Sequence, residues 1–142
     1  MNNTDRHYIN CAKEVAKLSD FKTKTGCVIV YNHTIISSGC NTHKTHPIQF
    51  KYNDYRFDKK YNASSVIPKA HAEMIALSKI KYLDINWSKV KVYVYRIFNR
   101  NGFGLARPCP ACMQFIKELG IKHIFYTTYD GVAEEVIVKD LI

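Results

Sequence analysis

Two predicted helices begin with side chains that can ligate a metal ion, and this feature constrains the fold more than any other. His71 and Glu73 lie at the start of one helix. Cys109 and Cys112 lie at the start of the next, where Pro110 suits the first helical position. These side chains can meet only if both helices lie side by side with their amino termini at the same end of a sheet. Repeated strand–helix–strand crossovers produce that arrangement.

The hydrophobic pattern of the chain predicts the strands that such crossovers require. The predicted helices cover residues 5–18, 70–82 and 110–119. The predicted strands cover residues 26–31, 34–37, 90–98 and 123–126. A hairpin turn is predicted at residues 32–33 and an irregular insertion at about 41–68. Residues 99–104 are predicted to form a turn or an excursion between edge strands, and the tail at 131–142 can be helix, strand or both. This order predicts an α/β protein with a mixed, partly parallel sheet covered by helices.

The composition is that of one globular domain. The chain has 142 residues, with 46% hydrophobic and 23% charged, enough for a single core. No apolar stretch reaches the roughly 20 residues of a membrane span, and the first residues contain no signal-peptide core. We therefore expect a single domain over residues 1–142, located in the cytoplasm (the host cytoplasm if the chain is viral) and without a membrane partner.

The cysteine count and the net charge narrow the class of function. Five cysteines are an odd number, which in a cytoplasmic chain favours a metal site or buried thiols over a disulfide framework. The net charge of +9 indicates a phosphate-bearing partner, either a nucleotide, a nucleic acid or a membrane surface. Solubility alone also accounts for such a charge.

The polar residues at the two helix starts have the properties of a catalytic zinc site. Cys109 and Cys112 are three residues apart, so both sulfurs lie on one face of the helix, near its positive end, which favours thiolate. With His71 they form a nitrogen and sulfur set that suits Zn²⁺ and leaves the fourth position open for water. Glu73 points beside the metal and can carry the proton of that water to a leaving group.

Each half of this pattern has a simpler interpretation when it is taken alone. A Cys-x-x-Cys pair can be redox-active or structural, and a single His is often a core residue. Here the chain has His-x-Glu followed by Pro-Cys-x-x-Cys, both on the predicted helix starts. That combination is the signature of the zinc-dependent nucleobase deaminases.

Over most of its length the chain resembles the cytidine/deoxycytidylate deaminase superfamily, and above all its deoxycytidylate deaminases, including viral ones. The His-Ala-Glu motif at residues 71–73 and the Pro-Cys-Pro-Ala-Cys motif at residues 108–112 carry the resemblance, together with the order of the predicted elements. It implies a three-layer α/β/α cytidine deaminase-like fold, one catalytic Zn²⁺, and hydrolytic removal of an amine from C4 of cytosine or C6 of adenine. Glu73 would protonate the ring nitrogen and then the departing ammonia. Members of this superfamily commonly form homo-oligomers.

The resemblance also implies substrate contacts. Asn41 follows the second predicted strand, where nucleotide deaminases of the superfamily have an Asn that contacts the sugar, and Ala72 lies inside the first motif. Tyr126 ends a strand beside the expected site, where it can contact the base or pack in the core. Two departures set the chain apart from the usual deoxycytidylate branch. Thr42 replaces the Gly that usually follows the Asn. Arg107, directly before the second motif, stands where Thr, Ser or Glu is common.

The insertion at residues 41–68 supplies one more candidate. It is basic, and we predict that Arg56 binds a 5′-phosphate, because a guanidinium fork matches phosphate oxygens. Its interleaved aromatic residues also suit single-stranded nucleic acid, a small core of their own or a subunit interface. A solvated surface is the simplest alternative. Cys40, His43 and His46 form only a weak motif for a second, structural zinc, so we expect one ion.

The sequence therefore predicts a zinc-dependent hydrolytic deaminase of a free cytosine nucleotide, converting dCMP to dUMP and ammonia. One alternative is a deaminase of cytosine in single-stranded DNA or of adenosine in tRNA, which the net charge of +9 favours. The other is a non-catalytic zinc module that binds nucleic acid. Glu73 disfavours this second alternative, because a structural zinc site needs no proton carrier.

Overall fold

The computed structural model describes residues 2–42, 71–98 and 102–137. The helices are α1 (Asn3–Ala16), α2 (Ala72–Ser78) and α3 (Pro110–Leu119). The strands are β1 (Lys24–Tyr31), β2 (Thr34–Cys40), β3 (Lys91–Phe98), β4 (Gly102–Gly104), β5 (His123–Thr128) and β6 (Gly131–Val136). A 3₁₀ turn at Trp87–Lys89 leads into β3.

The strands form one mixed sheet in the order β2-β1-β3-β5-β6, with β4 paired to β3. The β3–β5 pair is parallel and the other pairs are antiparallel. Because β2 and β3 are each antiparallel to β1, they run in the same direction. The units β2–α2–β3 and β3–α3–β5 are therefore successive crossovers, which is the connectivity that the two motif-bearing helices require.

Helices cover both faces of the sheet, so the predicted three-layer α/β/α architecture is confirmed. On one face α1 places Tyr8, Ile9 and Ala12 against Tyr93 and Phe125. The opposite face carries the larger core, between the sheet and helices α2 and α3. That core includes Met74, Leu77, Val92, Ile116 and Ile124.

Local sequence signals explain several element ends. The Asn2 side chain caps α1 by accepting a hydrogen bond of 2.8 Å from the backbone N–H of Asp5. Asn32 and His33 both have positive φ, 50° and 59°, as a tight two-residue hairpin turn requires. Gly120 ends α3 in the left-handed conformation, with φ of 95°, where a side chain would be strained.

Some boundaries differ from the predicted ones because packing, rather than the local pattern, sets them. Helix α2 ends at Ser78 instead of residue 82. Tyr82 and Leu83, which follow it, are exposed, so no apolar face continues past Ile80 to support another turn. Helix α1 starts before the predicted residue 5, since Asn2 provides its cap, and it ends at Ala16 instead of residue 18.

Two predicted segments become strands. Residues 102–104 of the expected excursion form β4, which pairs with the end of β3. Residues 131–136 of the tail form β6, antiparallel to β5, which decides between helix and strand for this part of the tail. From residue 43 onwards the insertion at 41–68 lies outside the described residues. Within the described ranges, no helix is long and apolar enough to cross a membrane.

Candidate active site

The predicted metal ligands lie at the ends of two helices that start side by side. His71 is the N-cap residue of α2, and Cys109 is the N-cap residue of α3. Cys112 lies in the first turn of α3, behind Pro110 at the first helical position. The two crossovers thus bring together residues that are 38 and 41 positions apart in the chain.

The three side chains meet at distances that suit a tetrahedral zinc ion. The Nδ1 atom of His71 lies 3.5 Å from the Cys109 Sγ and 3.4 Å from the Cys112 Sγ. With ordinary zinc–nitrogen and zinc–sulfur bonds, tetrahedral angles require a nitrogen–sulfur separation of about 3.6 Å. All three ligand atoms lie within 4.8 Å of one another, and in the described residues no other such group of His, Cys, Asp or Glu side chains occurs. The donors therefore fit one zinc ion.

The two thiols differ in their readiness to ionise. The Cys112 thiol donates a hydrogen bond to the Cys109 sulfur, and this bond, together with His71, lowers the pKa of Cys109 to about 4. Burial, followed by the hydrogen bond to Cys109, raises the pKa of Cys112 well above its ordinary value. One thiolate is thus already present near neutral pH, and zinc binding would release the remaining thiol proton.

Glu73 is held in the first turn of α2 with only 5% of its surface exposed. Burial raises the pKa of its carboxyl, although the nearby His71 opposes this shift. The Cys112 side chain also lies within hydrogen-bonding reach of the carboxylate. A buried carboxyl in this position can both accept and return a proton.

A cavity of about 510 Å³ opens onto this group. His71, Ala72, Glu73 and Cys109 lie in its wall, so the predicted substrate residue Ala72 does line the site. The wall also contains the segment around Thr25 and the connection from β3 to α3. The volume falls within the range of small-molecule pockets.

Asn41 lines the same cavity, but its side chain is already engaged in local hydrogen bonds. The Oδ1 atom accepts from the Thr25 backbone N–H at 2.9 Å and from the Ser19 hydroxyl at 2.6 Å. The Nδ2 atom donates to the Thr23 carbonyl at 2.8 Å. Asn41 therefore holds the segment that forms one wall of the cavity, and its predicted contact with the sugar stays a prediction.

Tyr126 belongs to a polar cluster with Arg107 and Glu135. Arg107 donates two hydrogen bonds to the Glu135 carboxylate, at 3.0 and 2.9 Å. The Tyr126 hydroxyl also hydrogen bonds within this cluster, and burial raises its pKa. Tyr126 is not among the described residues that line the cavity, whereas Arg107 is. Its predicted contact with the base stays a prediction.

Two other predictions cannot be located. Arg56 lies outside the described residues, and so do His43 and His46 of the weak second metal motif. Cys40, the third member of that motif, is the last residue of β2, and burial raises the pKa of its thiol.

Arg96 lines the cavity from the end of β3 and was not predicted from the sequence. A signal for it did exist. Arg96 is two residues after Val94 and four after Val92, which both face α2 and α3, so strand alternation places Arg96 on the same face as the metal ligands. The ion pair between Arg107 and Glu135 was not predicted either, because no local sequence pattern indicates it.

The residues of this site divide the chemistry of hydrolysis between them. Zinc, when bound, lowers the pKa of a water molecule towards neutrality. His71, Cys109 and Cys112 would hold the ion, and Glu73 can take the proton of the water and pass it on. The walls of the cavity orient a small substrate against these groups.

Comparison with known proteins agrees with this geometry. The family model of the cytidine and deoxycytidylate deaminase zinc-binding region matches residues 2–128. By sequence, no curated protein is a significant match.

Solved structures share the fold at low sequence identity. The dCMP deaminase of cyanophage S-TIM5 has a TM-score of 0.58 in its apo form, at 20% identity, covering 90% of this chain and 86% of that chain. Its complex with dCMP and dUMP has a TM-score of 0.59, at 20% identity, covering 90% and 84%. The cytidine deaminase of Burkholderia pseudomallei has a TM-score of 0.60, at 19% identity, covering 96% and 93%. Because the family model spans most of the chain and includes the His, Glu and Cys residues of the site, this protein belongs to the cytidine and deoxycytidylate deaminase family.

Proposed function

We propose that this protein hydrolyses dCMP to dUMP and ammonia. The observation that carries the proposal is the buried Glu73 beside three side chains that fit zinc, at the wall of a cavity large enough for a nucleotide. A purely structural zinc site would not need a carboxylate that faces the ligands from a cavity wall. The similar cyanophage enzyme is a dCMP deaminase whose structure includes dCMP and dUMP, which supports the choice of substrate.

Glu73 handles the protons of the proposed reaction. It takes a proton from water, whose oxygen forms the new bond to C4 of the cytosine ring. It gives that proton to the ring nitrogen N3, and a second proton reaches the amine, which leaves as ammonia when the bond to C4 breaks. Water and dCMP are thereby converted to dUMP and ammonia, with no oxidant or reductant.

Further properties belong to the same proposal. We expect one catalytic zinc ion per chain, a single domain, a homo-oligomer and a cytoplasmic location. The five cysteines, all without a disulfide, are typical of a reducing compartment. Metal analysis and analytical ultracentrifugation of the purified protein test the zinc content and the oligomeric state.

The test of function is ammonia release from a panel of substrates by the zinc-loaded protein. The panel contains dCMP, CMP, deoxycytidine, cytosine, a single-stranded DNA oligonucleotide and a tRNA anticodon stem-loop. We expect turnover to be greatest with dCMP. Turnover only with a polynucleotide would refute the nucleotide proposal and keep the deaminase chemistry. In that case binding should weaken steeply with salt, as the net charge of +9 suggests.

A further inference from the structure

Two arginines line the candidate active site, and their charges are neutralised to different degrees. Arg107 makes a two-point ion pair with Glu135. Arg96 has no carboxylate within 4.0 Å among the described residues. Its Nη1 donates only a long hydrogen bond of 3.4 Å to the Leu105 carbonyl, and its buried Nε has no hydrogen-bond partner.

Strand register places Arg96 where it can face a substrate. It lies near the carboxyl end of β3, opposite Thr25 on β1 and Gly104 on β4. Arg96 shares its face of the sheet with Val92 and Val94, which pack towards α2 and α3. Thr25 also lines the cavity, so a hydroxyl and a guanidinium stand side by side in the same wall.

The guanidinium of Arg96 has hydrogen-bonding capacity that the described residues around it leave unused. A charge withdrawn from water is stabilised only when an opposite charge or several hydrogen bonds replace the lost hydration. The Leu105 carbonyl is a weak substitute, since the contact is long and carries no charge. An anion in the cavity would supply both the charge and the acceptors, and the planar guanidinium fork matches phosphate oxygens in particular.

We propose that Arg96 binds the 5′-phosphate of the nucleotide and so sets the preference of this site for nucleotide over nucleoside. The inference rests on the proposed function, because it requires a free nucleotide as substrate. It also assigns a different role to Arg107, whose charge is satisfied by Glu135 and which therefore positions the cavity wall. Arg96 is thus the specificity-determining arginine of the two.

The test compares Arg96→Met and Arg96→Lys with the wild type on dCMP and on deoxycytidine. Lys122→Met is the matched control, because Lys122 is an exposed cation before the amino end of β5, away from the cavity. We expect Arg96→Met to raise the KM for dCMP about 10- to 100-fold, as loss of a charge-assisted hydrogen bond predicts, with kcat nearly unchanged. Its kcat/KM for deoxycytidine should equal that of the wild type, and Arg96→Lys should fall between.

Calorimetric titration with the product gives a second readout that needs no turnover. The Arg96→Met variant should bind dUMP about 10- to 100-fold more weakly than the wild type and bind deoxyuridine equally well. Thermal melts establish whether each variant is folded. If Arg96→Met does not fold, the same comparison is made with Arg96→Lys.

The outcomes separate the inference from the proposed function. If the wild type turns over dCMP and Arg96→Met leaves its KM unchanged, the inference is wrong and the function stands. The inference is also wrong if dCMP and deoxycytidine lose activity equally, since Arg96 would then be structural. If the wild type neither deaminates dCMP nor binds dUMP, both fail together.

Discussion

Replacement of Glu73 by Gln separates the proton carrier from the metal ligands. Gln has nearly the same shape as Glu, but it cannot accept and return a proton. Glu73 is the only carboxylate among the described residues that line the cavity, so no neighbour can take over. The three potential zinc ligands are untouched by the change.

The size of the expected loss follows from the number of proton transfers. A positioned general acid or base contributes typically 10²- to 10⁴-fold, and here one carboxylate serves both the ring nitrogen and the water. We therefore expect kcat on dCMP to fall by about 10⁴-fold, equivalent to about 5 kcal/mol in the activation free energy.

The same substitution should not destabilise the fold. Burial raises the pKa of Glu73, which means that the surrounding protein disfavours the ionised form. A neutral Gln of nearly the same shape avoids that penalty. The free energy of unfolding of Glu73→Gln should therefore equal or exceed that of the wild type.

The assay measures ammonia release from dCMP, zinc content and the thermal midpoint on the same preparations. Glu14→Gln is the control, because Glu14 is an exposed acid on α1 whose ion pair, among the described residues, is with Lys17 at the surface. A Glu73→Gln protein that keeps more than a tenth of wild-type turnover would refute the assigned role. Loss of zinc from that variant would show instead that Glu73 supports the metal site.

Three further predictions concern a thiol, a close packing contact and an ion pair. In protein stripped of zinc, iodoacetamide should modify Cys109 at a rate that is nearly constant from about pH 8 to about pH 5, because the pKa of this thiol is about 4. A rate that falls tenfold per pH unit over this range would contradict the prediction. Gly26→Ala should lower the free energy of unfolding in urea by about 1–3 kcal/mol or more, because its Cβ would lie 2.3 Å from backbone atoms of α1; unchanged stability would contradict the packing of α1 on β1. Glu135→Gln should lower stability at pH 7 by less than about 1 kcal/mol, because both side chains of the pair with Arg107 are partly exposed to solvent. Since Arg107 lowers the pKa of Glu135, the pair contributes to stability at pH 7. The difference in unfolding free energy between wild type and Glu135→Gln should vanish only as the pH falls through that lowered pKa, below 4.5. A difference that persists in stronger acid would contradict the pairing.

Local chemistry made much of the fold and the zinc site predictable. Pro110 before the helical pattern and Gly120 after it fixed the bounds of α3, and these bounds are confirmed. The positions of His71 and of Cys109 as caps follow from the same helix starts. Such signals act over a few residues, so they can be read in a single sequence.

The rest depends on partners that are distant in the chain. Arg107 and Glu135 are 28 residues apart, and neither position has a local pattern that predicts an ion pair. Asn41 followed the predicted strand as a candidate substrate contact, yet its hydrogen bonds to residues 19, 23 and 25 come from another part of the chain. Long-range pairing of this kind is decided by the sheet register, which hydrophobic periodicity does not determine.

The fold places the metal ligands and the two arginines of the cavity wall on different parts of the chain. Helix starts carry His71, Glu73 and Cys112, which are positioned by two successive crossovers and cannot move without moving a helix. Arg96 reaches the cavity wall from the carboxyl end of β3, and Arg107 reaches it from the connection between β3 and α3, which includes the short strand β4. It follows that the metal ligands are held by the two helix starts, whereas Arg96, to which we assign the preference for nucleotide over nucleoside, is held by the end of β3.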